Sequence, residues 1–478
     1  MTKETVYQSP LSARYASTQM QAVWSPQRKF STWRRLWLAL AESEKALGLD
    51  ITEAQVNELK AHLDDIDYAV AAKHEKRLRH DVMAHVHALG EIAPTARPII
   101  HLGATSQFLN CNTELLQIRE SLQLIAARLA AVIDALGRFA KTHSHQPTLG
   151  FTHYQPAQPT TVGKRACLWA QEFAIALDEI ETRVNKLSFR GVKGATGTQA
   201  SFMSLFDGDA QKVEELDVMV TKKMGWDPKK RFVVTGQTYP RIVDAQILSA
   251  LALTAAAAHK CASDIRLLAN HREIEEPFES DQIGSSAMAY KRNPMRCERI
   301  CALARFVMSL PANALQTASV QWLERTLDDS ANRRLTLPEA FLALDGLLAT
   351  MQNVSGGMIV NDAIVAANLE REMPFLATEN LMMAAAAQGA DRQEAHEIVR
   401  QASQEVASEM KQTGSENDLL HRLAQHPMFA KVDLAATVDP MAYVGRAPQQ
   451  VDDFISTVVE PIRARYVSND VIEMELRV

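Results

Sequence analysis

Eight apolar residues, Leu115, Ile118, Leu122, Ile125, Leu129, Val132, Leu136 and Phe139, follow one another at alternating spacings of three and four. That spacing keeps one apolar stripe on one side of an α-helix for about seven turns. A stripe this long is hidden only by helices lying nearly parallel to it, so the pattern predicts a bundle of long helices. Further helical stretches are predicted around residues 158–188, 241–272, 294–321 and 333–354, rich in Ala, Leu and Met and poor in β-branched alternation. No alternation of strands with helices is visible, and the expected class is all-α. The seam can close within one chain or against a second copy, and the sequence leaves both open. Bundles of this length commonly complete their cores by symmetric association, so a homo-oligomer is expected.

Two breaks divide the helical pattern. Residues 94–106, PTARPIIHLGATS, carry two prolines and a glycine, and residues 355–362, SGGMIVND, form a second interruption. Three helical domains are expected: an N-terminal one over 1–105, the central long-helix bundle over 106–360, and a C-terminal one over 361–478. The last has shorter helices punctuated by Pro374, Pro427 and Pro440. No repeat of twenty to fifty residues is evident, which disfavours a solenoid.

Composition removes several classes of function. Lys and Arg total 51 against 57 Asp and Glu in 478 residues, a net charge of -6, so the basic excess needed to bind a nucleic-acid backbone is missing. The five cysteines, Cys111, Cys167, Cys261, Cys297 and Cys301, are scattered and lack CxxC spacing, which argues against a disulfide framework or a zinc knuckle. The most apolar stretch, Ala245 to Ala258, falls short of the ~20 residues of a bilayer span and reads as a buried helix. No secretory, retention or prenylation signal is visible, and the cytosol is expected. Neither nucleic acid nor membrane is an expected partner. No Walker loop occurs, and the glycine-rich GVKGATGTQ lacks the preceding strand of a dinucleotide site, so it reads as a turn and no cofactor is expected.

Residues 282–298, QIGSSAMAYKRNPMRCE, place small residues and cations between two helical stretches. Gly284, Ser285 and Ser286 allow backbone amides to turn inward, while Lys291, Arg292 and Arg296 add positive charge. Such a loop suits a carboxylate that gains charge in a transition state. A solvated loop with an ordinary charge cluster has the same composition. His80, His85 and His87 in RHDVMAHVH form a second cluster, with His80 and His87 expected on one helix face and Asp81 able to orient a ring. Their spacing is not that of HExxH, and no metal is expected.

GSSAMAYKRNP resembles the G-S-S-x-M-P-x-K-x-N signature of the fumarase and aspartase superfamily, whose members eliminate across a succinyl group to release fumarate. TLGFTHYQPAQ at 148–158 and GATSQFLNCNT at 103–113 are similar to two further elements of that superfamily, in the same order along the chain. Within it, the chain most resembles the adenylosuccinate lyase family in its animal-type branch. The matching stretches are LSARY at 11–15, LRHDVMAHVH at 78–87, GVKGATGTQASF at 191–202, GQTY at 236–239, SSAMAYKRNPMR, and ERTLDDSANRR at 324–334. One residue departs from the signature: Ala289 stands where proline is usual, so the loop lacks one fixed φ.

The resemblance implies cleavage of adenylosuccinate to AMP and fumarate, and of succinylaminoimidazole carboxamide ribotide (SAICAR) to AICAR and fumarate. It implies a cytosolic homotetramer whose active sites are shared between subunits, with helices pairing across them. By matching position it makes Ser285 the general base and His153 the general acid, with His80 beside the acid and Lys291 among the catalytic groups. A lone histidine in FTHYQPAQ would otherwise read as structural. Lys291 and Asn293 are expected to hold a carboxylate, as are Thr105 and Ser106. Arg14, Tyr15, Arg299, Arg325, Ser330 and Arg334 are assigned to phosphate and ribose. Arg79, Asp81, Thr152, Gln237, Ser286 and Met288 complete the expected substrate contacts. A sister lyase acting on argininosuccinate would share the serine loop but not the LSARY and DDSANRR elements. A non-catalytic scaffold would be expected to have lost Ser285, His153 or Lys291.

Overall fold

The computed structural model describes residues 5–466. It is 69% helical and 4% strand, the all-α class that the apolar period predicts. The elements that position the site are α1 (Pro26–Ala46), α2 (Tyr68–Leu78), α3 (Asp81–Ile92), α4 (Ser106–Thr142), the hairpin strands β1 (Pro147–Thr152) and β2 (Gln155–Thr161), α5 (Val162–Lys186), α6 (Ile242–Asn270), α7 (Met295–Ser319) and α8 (Asp329–Gly357). Helices α9 (Asp362–Leu376), α10 (Thr378–Ala387) and α11 (Arg392–Thr413) follow.

The seam of α4 is closed within the chain. Leu115, Ile118, Leu122, Ile125, Leu129, Val132 and Leu136 are all fully buried, packed chiefly against α5 and α8, and Phe139 is half-buried. Each such side chain contributes roughly 1.5–3 kcal/mol through burial, which anchors the 37-residue helix in the core. The apolar side chains left in water lie elsewhere: Leu168 and Ile175 on α5, Leu253 and Leu267 on α6, and Phe306 and Leu315 on α7. Leu168 and Ile175 stand two turns apart and share a face of α5. Helix α6 is long and apolar enough to cross a bilayer, yet Ala245, Leu248, Leu251, Ala255, Ala258 and Ala262 are buried in the bundle.

Two local expectations are corrected. The helix expected from residue 158 begins at Val162, because Pro156 and Pro159 lack the amides a helix needs there, and β2 instead pairs antiparallel with β1, Thr152 opposite Gln155. The histidines of RHDVMAHVH do not share a face. His80 precedes α3 and caps it, its Nδ1 accepting from the Met83 amide at 3.3 Å. His85 is buried and stacks on Phe30 at 3.8 Å, and His87 stacks on His74 at 5.3 Å.

One continuous apolar core takes in residues from Leu11 to Met358, on both sides of residue 105, and adds Val451, Val459 and Ile462 from the far end of the described chain. A second, smaller core joins α10 and α11 to Leu419, Leu423 and Phe429. The N-terminal turn Leu11–Tyr15 is fastened to the bundle by charge. The Ser17 amide donates to Asp345 Oδ2 at 2.6 Å, Arg128 pairs with the other oxygen of Asp345, and Arg128 also donates to Ser17 Oγ at 2.8 Å. Gly346 makes the approach possible, since a Cβ there would stand 2.7 Å from the Tyr15 carbonyl oxygen.

Replacing Asp345 with Ala strands the buried Arg128 charge. A loss of about 3–5 kcal/mol is expected, read as a melting temperature lowered by several degrees, whereas Asp345→Asn loses less. Glu44 on α1 is a stored cost of the opposite kind: it is fully buried, neither carboxyl oxygen finds a hydrogen bond among the described residues, and burial pushes its pKa from 4.5 up to about 9. The folded state therefore holds a proton that the unfolded chain gives up, and stability falls as pH rises from about 4.5 to 9. Glu44→Gln is expected to melt several degrees higher than the parent at pH 8, with the gap closing toward pH 4.5.

Candidate active site

Three helix termini converge on a cleft of about 800 Å³ that brings together Arg79, His80, Asp81, Thr105, Ser106, Gln237, Arg325, Ser330 and Arg334. Five of them, Arg79, His80, Asp81, Thr105 and Ser106, come from points where one helix ends or the next begins. Arg79 ends α2 with φ 54, a left-handed conformation uncommon for a residue with a side chain. His80 and Asp81 open α3, and Thr105 and Ser106 open α4. The Thr105 hydroxyl makes no capping bond, so the positive end of α4 presents amides and hydroxyls toward the cleft. Ser106 Oγ lies 3.3 Å from His80 Nε2, and Arg334 donates to Asp81 Oδ2 at 3.0 Å.

A buried ionic network sets the far wall. Arg333 donates to Asp244 at 2.7 Å, Glu114 at 2.8 Å and the Tyr239 hydroxyl at 2.5 Å, and Tyr239 donates to Asp244 at 2.6 Å. Burial alone would lower the Arg333 pKa, but Asp244 and Glu114 outweigh it and keep the guanidinium charged. Burial raises the Tyr239 pKa, so its hydroxyl stays a neutral donor. Next to it, Arg241 pairs with Asp329 at 2.8 Å, and Arg325 approaches the other oxygen of Asp329 at 3.7 Å. Arg333 is thus turned into the core while Ser330 and Arg334, one helical turn apart on α8, face the cleft.

The loop between α6 and α7 carries a second set. Ser285 Oγ accepts from the amides of Met288 at 3.1 Å and Ala287 at 3.4 Å, so backbone dipoles already point at the hydroxyl oxygen. Asn293 Nδ2 donates to the Gly284 carbonyl at 2.8 Å and closes the loop, so in this conformation its amide is engaged there and not on an open face. Gly284 has no alternative, because a Cβ would lie 2.2 Å from the Lys291 carbonyl oxygen. Ser286, Met288, Ala289 and Lys291 are exposed, and Lys291 and Arg292 border a second opening of about 620 Å³ with Arg266 and Arg272.

Thr152 and His153 sit at the tip of the β1–β2 hairpin. His153 and Tyr154 occupy its two turn positions with φ 51 and 56, the geometry of a type I′ turn, and His153 is exposed. Arg14 and Tyr15 lie on the N-terminal turn beside Arg299, whose guanidinium is 5.9 Å from the Tyr15 ring. Burial lowers the Arg299 pKa; of its neighbours, Tyr15 raises it and Arg14 lowers it. Among the described residues, the lining of the cleft includes none from the loop or the hairpin, whereas Leu267 at the end of α6 borders an opening beside each of those two.

Sequence reasoning missed several residues at the cleft. Glu75, Gln107, Asn110 and Leu327 line it. His101 stands behind His80: its Nδ1 accepts from Trp37 Nε1 at 3.0 Å, and burial, then the charge of His80, pushes its pKa down to about 4. Lys29 lies 5.1 Å from the Trp33 ring, and burial followed by Arg334 lowers its pKa while Glu114 and Asp81 raise it. Neither residue belongs to a spaced motif. Only the fold brings them within reach.

Against known proteins, a family model described as lyase matches residues 17–309, and one described as adenylosuccinate lyase C-terminus matches residues 374–454. The chain is 51% identical to adenylosuccinate lyase of Schizosaccharomyces pombe, covering 97% of this chain and 96% of that one. It is 49% identical to the Saccharomyces cerevisiae enzyme of the same name, covering 98% and 99%. Among solved structures it superposes on 3-carboxy-cis,cis-muconate lactonizing enzyme from Pseudomonas putida with a TM-score of 0.81 at 24% identity, covering 95% of this chain and 100% of that one, which speaks for the fold. Fumarate lyase from Mesorhizobium sp. BNC1 gives 0.78 at 25%, covering 93% and 99%. With close relatives matched over nearly their whole length, the chain belongs to the adenylosuccinate lyase family.

Proposed function

We propose that this protein splits adenylosuccinate into AMP and fumarate, and SAICAR into AICAR and fumarate, by β-elimination. The observation that carries the reading is the cleft: three arginines, two helix-start hydroxyls and a histidine line one cavity large enough for a nucleotide. Arg325, Ser330 and Arg334 suit a phosphate through charged forks and a hydroxyl, with Arg14 and Tyr15 of the N-terminal turn and Arg299 of α7 on the same substrate. Thr105 and Ser106, at the positive end of α4, suit a succinyl carboxylate, as do Lys291 and Asn293 once the loop covers it. Arg79, Asp81, Gln237, Thr152, Ser286 and Met288 complete the contacts.

The chemistry asks for a proton to leave a carbon beside a carboxylate and for the departing nitrogen to gain one. Ser285 takes the first, supported by the two loop amides that already point at its oxygen. His153 gives the second, with His80 nearby. The proton leaves carbon, its electron pair forms the new double bond, and the C–N bond breaks toward the protonated nitrogen. Lys291 stabilises the charge that builds on the carboxylate.

Because the lining of the cleft includes no residue of the hairpin or the loop, we further propose a cytosolic homotetramer in which neighbouring subunits bring them together. The open apolar residues of α5, α6 and α7 are the surface available for that association.

Incubation with adenylosuccinate should release AMP and fumarate, followed by absorbance, with argininosuccinate left intact. Ser285→Ala and His153→Ala should each lower kcat by ~10²–10⁴ with the fold intact. Parent-like turnover by either variant would remove that residue from its role. Arg334→Gln should raise KM by about 10- to 100-fold while changing kcat far less, the signature of a lost phosphate contact.

A further inference from the structure

The turn that carries His153 is tied to a helix end by one bond. Tyr154, its partner in the two-residue turn, has its hydroxyl 3.1 Å from His271 Nε2, and the two rings meet edge to face with centroids 5.9 Å apart. Phe151 of β1 packs on the same imidazole at 5.3 Å. His271 is itself fixed from both sides: its amide donates to the Leu267 carbonyl at the end of α6, and its carbonyl accepts from Asn368 of α9 at 3.4 Å. Lower on the hairpin, Arg165 of α5 donates to the Leu149 carbonyl at 2.6 Å, which holds the strand and not the tip. Among the described residues, Tyr154 to His271 is the side-chain hydrogen bond that joins the turn itself to a helix.

The backbone gives this bond leverage. Both turn residues have positive φ although neither is glycine, a conformation side-chain-bearing residues seldom adopt without outside support. Rotation at Tyr154 swings the adjoining His153, and Tyr154 is otherwise about half exposed. A proton donor displaced by 1 Å can lose ~100-fold in rate, so a tether one residue away acts on the chemistry without touching substrate.

We propose that His271 is a positioning residue for His153, acting through its hydrogen bond to the Tyr154 hydroxyl. The inference rests on the reading of His153 as general acid. Its test is steady-state kinetics on adenylosuccinate with the full-length protein, comparing His271→Leu, Tyr154→Phe, the double variant and His271→Gln, alongside His153→Ala. Each single loss should lower kcat about tenfold with KM within about twofold, at an unchanged melting temperature. The double variant should be no worse than either single one, because both remove the same bond. Glutamine, which keeps a polar group within reach, should recover most of kcat. Parent-like kcat in His271→Leu, additive losses in the double variant, or no recovery with glutamine would overturn the tether while His153→Ala remains inactive. Parent-like turnover by His153→Ala would instead bring down the reading of the acid, and the tether with it.

Discussion

A buried arginine cannot be left without its counter-charges, and the fold around the cleft is arranged to satisfy that demand at Arg333. Glu114 comes from α4, Asp244 from α6, and Tyr239 from the segment before α6, so one guanidinium binds the beginnings of three long helices. Removing one partner from such a pair typically costs 3–5 kcal/mol, which makes the relative placement of these helices stiff. Stiffness is what the cleft needs. Ser330 and Arg334 are turned toward it because Arg333 is turned away, and Arg325 is held by Asp329, which Arg241 secures from behind.

Away from that wall the parts of the site are more exposed. The helix starts at Asp81 and Ser106 are set by backbone hydrogen bonding and by the Arg334 to Asp81 contact. The serine loop is closed by Asn293 and Gly284 but keeps Ser286, Met288 and Lys291 in water, and Ala289 adds freedom where the signature has proline. The arrangement suits a reaction in which a rigid surface holds the nucleotide and a loop folds over the succinyl group. Water must be displaced around the carboxylate for cations and amides to act strongly, and an exposed loop is the part able to do this on binding.

What could be read from sequence follows from what each feature depends on. The seam of α4 was legible because a stripe of period 3.5 has one outcome, and its leucines, isoleucines and valine are buried as the period requires. Whether it closed inside the chain was not, since one neighbour is the adjacent α5 but the other, α8, begins almost two hundred residues further on. The face assigned to His80 and His87 failed because a capping residue lies outside the helix period, and His80 caps α3. The strand Gln155–Thr161 was hidden by residues that also favour helices, with only Pro156 and Pro159 as a warning. Motif blocks located the cleft residues, and Arg333 falls in one of them, but its partners Glu114 and Asp244 stand 219 and 89 positions away along the chain, and no spacing pairs them with it.

Hairpin, loop and cleft are proposed to work on one substrate, although the lining of the cleft holds no residue of the other two. Mixing the inactive Ser285→Ala and His153→Ala variants under conditions that exchange subunits tests it most directly. If neighbouring chains complete each site, some sites in the mixture contain both an intact serine and an intact histidine, and fumarate release returns to a measurable share of the parent rate. Subunit exchange verified by mass spectrometry, with the mixture as inactive as its components, would contradict the account.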